Sequence, residues 1–227
     1  MRPDGRVSPE GQRLSVSDLA ERELDSLLEQ ARGGDTAAIN QLFAHQRTRL
    51  RRMVELRLDD RLRGRVDASD VIQEAQLEMF VRLPTYFATQ TMPFWVWVRL
   101  EVGKHILMIH RRHFGATRRD VRREIGCGDT MPPASSDALA KELVARQDSP
   151  SDDAARTERI QRIRQAIQSL DEPDREILTL RHFEMFNHRE TAAVLGISEA
   201  AAAKRYIRAL DRLQTALADL PGGLEGL

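Results

Sequence analysis

Apolar residues recur along this chain at three- and four-residue intervals, and no stretch alternates convincingly, so the pattern predicts an all-α fold. A first helix starts at Ser17 or Asp18, turns Leu19, Leu24, Leu27, Leu28 and Ala31 inward, and stops at Gly33-Gly34. Asp35 caps a second, in which Ile39, Leu42, Phe43, Leu50, Val54 and Leu58 keep helical spacing over one long element. The charged turn DDRLRGR leads to a helix over DASDVIQEAQLEMF, with Asp67 as N-cap and Ile72, Ala75, Met79 and Leu83 as its buried stripe. Two prolines frame LPTYFATQTMP, which reads as a loop. Phe94 opens FWVWVRLEVGKHILMIHRRH, apolar nearly all round and therefore expected at the centre of its domain. Residues 126–153 have linker composition, with room for one short helix from Asp137 to Arg146.

Beyond the linker, Ile160, Ile163, Ile167 and Leu170 share one helical face, Pro173 suits a first helical turn, and Ile177, Leu178, Leu180 and Phe183 line the next helix. The stretch NHRETAAVLGISEAAAAKRYIRALDRL reads as a helix-turn-helix. Gly196 permits the positive φ of a tight inter-helix turn, Ile197 plugs the angle, and Ser198 caps the second helix. Ala202, Tyr206, Ala209 and Leu213 form its buried stripe, while Ala201, Lys204, Arg205 and Arg208 face out. Small residues at its front let the helix enter a major groove, and its cations reach phosphates. Four successive alanines offer little direct hydrogen-bonded readout, so shape and phosphate contacts carry more weight.

Composition changes this picture only through its distribution. The 227 residues carry 35 basic and 35 acidic side chains, which cancel. From His45 to Arg123, however, sixteen Arg and one Lys face nine acids, whereas Glu124 to Glu158 holds eight acids against three basic residues. A basic block followed by an acidic tether describes a polyanion-binding module. The acidic ridge on the 67–80 helix (Asp70, Gln73, Glu74 and Glu78, at i, i+3, i+4 and i+8) fits either a solvated face or the docking of a basic protein. Cys127 is the only cysteine, the N-terminus lacks a signal-peptide pattern and no run approaches membrane-spanning length, so a cytoplasmic protein with no membrane partner is expected.

Catalytic chemistry has little support. Nucleophile elbow, glycine-rich phosphate loop and paired carboxylates are all missing, and nothing asks for a cofactor. No carboxylate or cysteine joins His105, His110 and His113 at a spacing that completes a metal site. A non-enzymatic DNA-binding protein is therefore expected. A stand-alone helix-turn-helix regulator would account for the C-terminal part but leave the ridge idle. An adaptor that only holds a partner would leave the arginines idle.

The order of these parts resembles the sigma-70 family of RNA polymerase sigma factors, in its small extracytoplasmic-function branch and in the variants common in planctomycete-type bacteria. DASDVIQEAQLEMF looks like the family's D-A-x-D-L-V-Q-E signature, FWVWVRLEVGKHILMIHRR like its F-x-x-W-L-x-x-I segment, and LGISEAAAAKRYIRALDRL like its L-G-x-S-x-G-T-V-K-S-R-L-x-R-A pattern. The resemblance implies a disordered extension over residues 1–16, a region 2 helical domain over 17–124, a flexible linker over 125–153, a region 4 helix-turn-helix domain over 154–218 and a tail over 219–227. It implies that Asp70, Gln73 and Glu74 dock on the β′ clamp helices of core RNA polymerase, with the β subunit as a further contact. Tyr86, Trp95, Lys104, Arg111, Arg112, Arg118 and Arg119 would serve the −10 element and its melting, whereas Phe94 and Trp97 would pack the core. Glu199, Ala201, Lys204, Arg205 and Arg208 would serve the −35 element, and an anti-sigma protein is a possible further partner. Lys104 and Met108 stand where the family has Asn and Asp, and Ala201 and Ala203 where it has Thr and Lys, so promoter preference is expected to differ.

Overall fold

A computed structural model describes residues 16–114, 131–145 and 153–219. Among them the fold is all-α, with α1 (Val16–Arg32), α2 (Thr36–His45), α3 (Arg47–Arg57), α4 (Ala68–Thr89), α5 (Phe94–Phe114), α6 (Ser136–Ala145), α7 (Asp153–Ser169), α8 (Glu172–Leu178), a π-helical turn at Thr179–Phe183, α9 (His188–Leu195) and α10 (Glu199–Ala218). The chain forms two compact units, Met1–Arg47 and Thr48–Leu227. In the first, α1 and α2 pair, and the Asp35 carboxylate caps α2 by accepting from the N–H groups of Ala37 and Ala38.

The expected long second helix is broken. Gln46, at φ −102° and ψ 4°, ends α2. Periodicity hid the break because Leu50, Val54 and Leu58 resume the same spacing beyond it, all of them buried.

In the second unit, Asp67 caps α4 as expected by accepting from the Ser69 N–H. The expected loop at residues 83–93 is a correction: α4 runs through Pro84 to Thr89. Pro84 removes one backbone donor, but it lies on the exposed side of the helix, while buried Leu83 and Tyr86 anchor the turns on either side of it. Gln90 then stops the helix in the left-handed region at φ 38°, its N–H donating to the Tyr86 carbonyl. As expected, α5 is buried almost all round, and it packs along α4.

The acidic stretch is not bare tether. Its short helix α6 buries Ala138, Leu139, Ala140 and Val144 in one apolar cluster with Leu56 of α3, Ile163 and Ile167 of α7, and Phe183. Leu170, Ile177, Leu178, Ala192, Ala202 and Ala209 form a second cluster that holds α8, α9 and α10 together. Asp171 caps α8 by accepting from the Asp174 N–H, with Pro173 in the first turn. The helix expected from Ile177 to Phe183 widens after Leu178 into the π turn, which closes with the Glu184 N–H donating to the Thr179 carbonyl at 2.9 Å. Met185 follows in the left-handed region at φ 56°. This pair of irregular steps turns the Glu184 side chain inward, where it is fully buried.

Candidate functional site

The ridge on α4 is built by simple periodicity. Val71, Ile72, Ala75 and Met79 are buried, which forces Asp70, Gln73, Glu74 and Glu78 to solvent. Glu78 is engaged at home, with its carboxylate 3.4 Å from both Arg82 and His105. Asp70, Gln73 and Glu74 all remain exposed. Periodicity alone missed the next turns of the same face: Leu77 is 66% and Val81 80% exposed. Two large apolar side chains beside three polar ones make a mixed surface of the kind proteins use for one another. The signal was present in the sequence, since Leu77 and Val81 continue the i, i+3, i+4 series from Asp70.

The aromatic residues assigned to DNA lie inside. Tyr86 stacks on Trp97 at 4.8 Å between ring centroids, and its hydroxyl donates to the Met92 carbonyl at 3.0 Å. The loop that was to present Tyr86 is helical, so its ring belongs to the core in this conformation. Phe94 and Trp97 pack there too, as expected. Trp95 is 6% exposed, with its indole N–H buried and without an acceptor among the described residues. Lys104 is exposed and pairs at 2.6 Å with Glu101, a buried carboxylate that also receives Arg82 at 2.8 Å. Arg111 and Arg112 stand exposed on the last turn of α5, where the helix dipole favours cations. Arg118, Arg119 and Cys127 lie outside the described residues.

His110 is half-buried, and its ring nitrogen Nε2 accepts from the Asp59 N–H at 3.2 Å. Burial lowers its pKa from the usual histidine value. Asp59 itself is lowered to about 2, chiefly by its hydrogen bonds from Arg61. His110 thus fastens the α3–α4 turn to α5 rather than offering a metal ligand. Among the described residues no cluster of His, Cys, Asp and Glu is arranged to hold a metal ion.

The helix-turn-helix follows from its caps. Asn187 and Glu190 form a reciprocal capping box at the start of α9, and Gly196 ends α9 at φ 63°. Ser198 caps α10 by accepting from the Ala201 N–H. Ala202 and Ala209 are buried and Tyr206 and Leu213 half-buried, which reproduces the expected stripe. The Tyr206 hydroxyl meets His182 Nε2 at 2.9 Å, and Arg212 ties α10 to Asp171 and Asp174 of the α8 N-terminus. On the outer face Glu199, Ala201, Lys204 and Arg208 are exposed and Arg205 half-buried. Ile207, 57% exposed between Lys204 and Arg208, is an apolar member of this face that the sequence reading left out. None of the described helices is long and apolar enough to cross a membrane.

Comparison with known proteins agrees with this arrangement. The family described as "Sigma-70, region 4" matches residues 160–213, from α7 through most of α10. The ECF RNA polymerase sigma factor ShbA of Streptomyces griseus is 31% identical over 196 residues, covering 84% of this chain and 93% of ShbA. The structure of CnrH in complex with the cytosolic domain of CnrY superposes with a TM-score of 0.51 at 22% identity, over 87% of this chain and 99% of CnrH, which supports the fold. This chain therefore belongs to the extracytoplasmic-function family of RNA polymerase sigma factors, which bind core RNA polymerase and direct promoter-specific transcription initiation.

Proposed function

We propose that the exposed face of α4 is the polymerase-docking surface. Asp70, Gln73 and Glu74 meet basic residues of the β′ clamp helices, and Leu77 and Val81 add apolar contact beside them. The observation that carries this reading is that these five side chains share one exposed face of α4. Lys104, Arg111 and Arg112 on α5, with Arg118 and Arg119 beyond it, hold DNA at the −10 element, with Trp95 reaching a base in the melted strand. Glu199, Ala201, Lys204, Arg205 and Arg208 on α10 serve the −35 element, with the tether crossing the polymerase and the β subunit as a further contact. The protein works as an initiation subunit in the cytoplasm and not as an enzyme. Its sequence pattern resembles that of the planctomycete-type variants. CnrH is held by the cytosolic domain of CnrY; by extension an anti-sigma protein holds this chain.

The test is run-off transcription from host genomic fragments by core polymerase with and without the protein. Discrete new transcripts are expected, and they are lost when Arg111, Arg112, Arg205 and Arg208 are neutralised together. Tight binding of promoter duplex by the protein alone, with no new transcript, would instead make it a stand-alone regulator.

A further inference from the structure

Protein interiors are close-packed, and voids much larger than a water molecule are few. One such cavity, of about 190 Å³, lies where α6, α7, α8 and α10 meet. Each helix gives it an apolar wall: Leu143 from α6, Ile167 from α7, Leu178 from α8 and Leu210 from α10. Ile167 and Leu178 are buried, whereas Leu143 and Leu210 are half-buried, so the cavity reaches the surface beside them. The π turn that extends α8 also lines it. A π turn spaces its hydrogen bonds five residues apart, one more than an α-helix, and such turns recur at functional sites.

The polar members of the wall set what chemistry the cavity recognises. Among the described residues they are Arg175 and His182, and no carboxylate lines it. Arg175, Leu178 and His182 fall at i, i+3 and i+7, so the two polar groups flank an apolar one along a single side of α8 and its extension. His182 is held by the Tyr206 hydroxyl, 2.9 Å from its Nε2. Arg175 is half-buried, and its one contact through Nη1 is with the Gln168 carbonyl at 3.5 Å, longer than an ordinary N–H···O bond. A guanidinium with unspent donors takes a carboxylate through two parallel N–H···O bonds. Size limits the rest of the ligand. A cavity of ~150 Å³ lined by Leu, Ile and Phe holds a benzene, so this one suits a short alkyl chain or a single aromatic ring.

We propose that the cavity binds a small monocarboxylic acid, with its alkyl or aryl body between α6 and α10 and its carboxylate on Arg175. The site shares no residue with the α4 ridge or with the outer face of α10, so a bound acid is compatible with both. Apolar atoms placed in a cavity restore packing contacts that its walls lack. A ligand touching four helices at once therefore stabilises the folded chain by mass action.

The experiment titrates the full chain with hexanoate, following its leucine and isoleucine methyl groups by NMR and its melting temperature. Shifts centred on the cavity wall, Ile167 and Leu178 among them, are expected, with a melting temperature that rises with hexanoate concentration. The uncharged 1-hexanol, which has the same carbon chain, should bind at least about tenfold more weakly, the worth of one charge-assisted hydrogen bond. Arg175→Gln should reduce hexanoate to the level of the alcohol, and Leu143→Phe, which fills the mouth, should abolish binding of both. Equal affinity for acid and alcohol, or hexanoate binding undiminished by Arg175→Gln, overturns the carboxylate assignment. Methyl shifts that are absent or scattered over the surface overturn the site. If neither molecule binds and Leu143→Phe instead weakens core polymerase binding, the cavity belongs to a polymerase side chain and the proposal falls. The comparison of acid with alcohol on the wild-type chain needs no variant, so it decides the matter even if a variant fails to fold.

Discussion

Two acidic groups in this protein have opposite fates. Asp70 and Glu74 stand exposed on α4, while Glu176 and Glu184 face two buried arginines across the fold. Both groups are carboxylates on helical or near-helical segments. What separates them is the company they keep. The exposed pair lies on a face whose helical neighbours are Gln73 and Leu77, so its charge remains for an outside partner. The inner pair is consumed by Arg57 and Arg99, so its charge closes the protein on itself. Charge therefore marks an external interface only where the fold leaves it unspent.

The largest effect that tests this contrast is on stability. Glu184→Ala leaves Arg57 and Arg99 buried with one carboxylate between them, and breaking a buried pair in this way costs about 3–5 kcal/mol. Chemical denaturation should show that loss, whereas Asp70→Asn should lie within about 0.5 kcal/mol of wild type. Equal effects at the two positions would erase the distinction. Next in size, Asn187→Ala removes the capping box of α9 and should cost about 1 kcal/mol. It should weaken binding to −35 duplex within polymerase while leaving core affinity alone.

A smaller effect comes from pH. The folded protein holds His110 below its unfolded pKa, so folding disfavours proton binding there. The stability linked to neutral His110 is present above the unfolded value near 6.5 and is lost as pH falls through the lowered folded value. Melting temperature should therefore drop between pH 7 and 5.5 more in wild type than in His110→Gln, which keeps an acceptor for the Asp59 N–H without titrating.

Much of this was legible in the sequence because it depends on local rules. The N-caps Asp35, Asp67 and Ser198, the Gly196 turn, the α4 stripe and the outward cations of α10 all sit where spacing put them. What was not legible depended on tertiary context. Pro84 and Pro93 suggested a loop, but burial of Leu83 and Tyr86 carried the helix past the first of them. Tyr86 looked like a presented ring until its hydroxyl found the Met92 carbonyl. The short helix expected from Asp137 to Arg146 is α6, but its linker composition gave no sign that its few apolar residues pack on Leu56, Ile163 and Phe183. Arg99 was the one visible hint of the buried arginine–glutamate cluster, a lone arginine within an apolar run, but its partners lie 77 and 85 residues away. No periodicity spans that distance.

The most direct measurement of the central claim is the affinity of the purified protein for core RNA polymerase, wild type against Asp70→Lys plus Glu74→Lys. Both side chains are exposed, so helicity and melting temperature should be unchanged. Reversing two charges in an interface that depends on them should weaken core binding about a hundredfold or more. Undiminished core binding by a folded double variant would contradict the assignment of this ridge to polymerase.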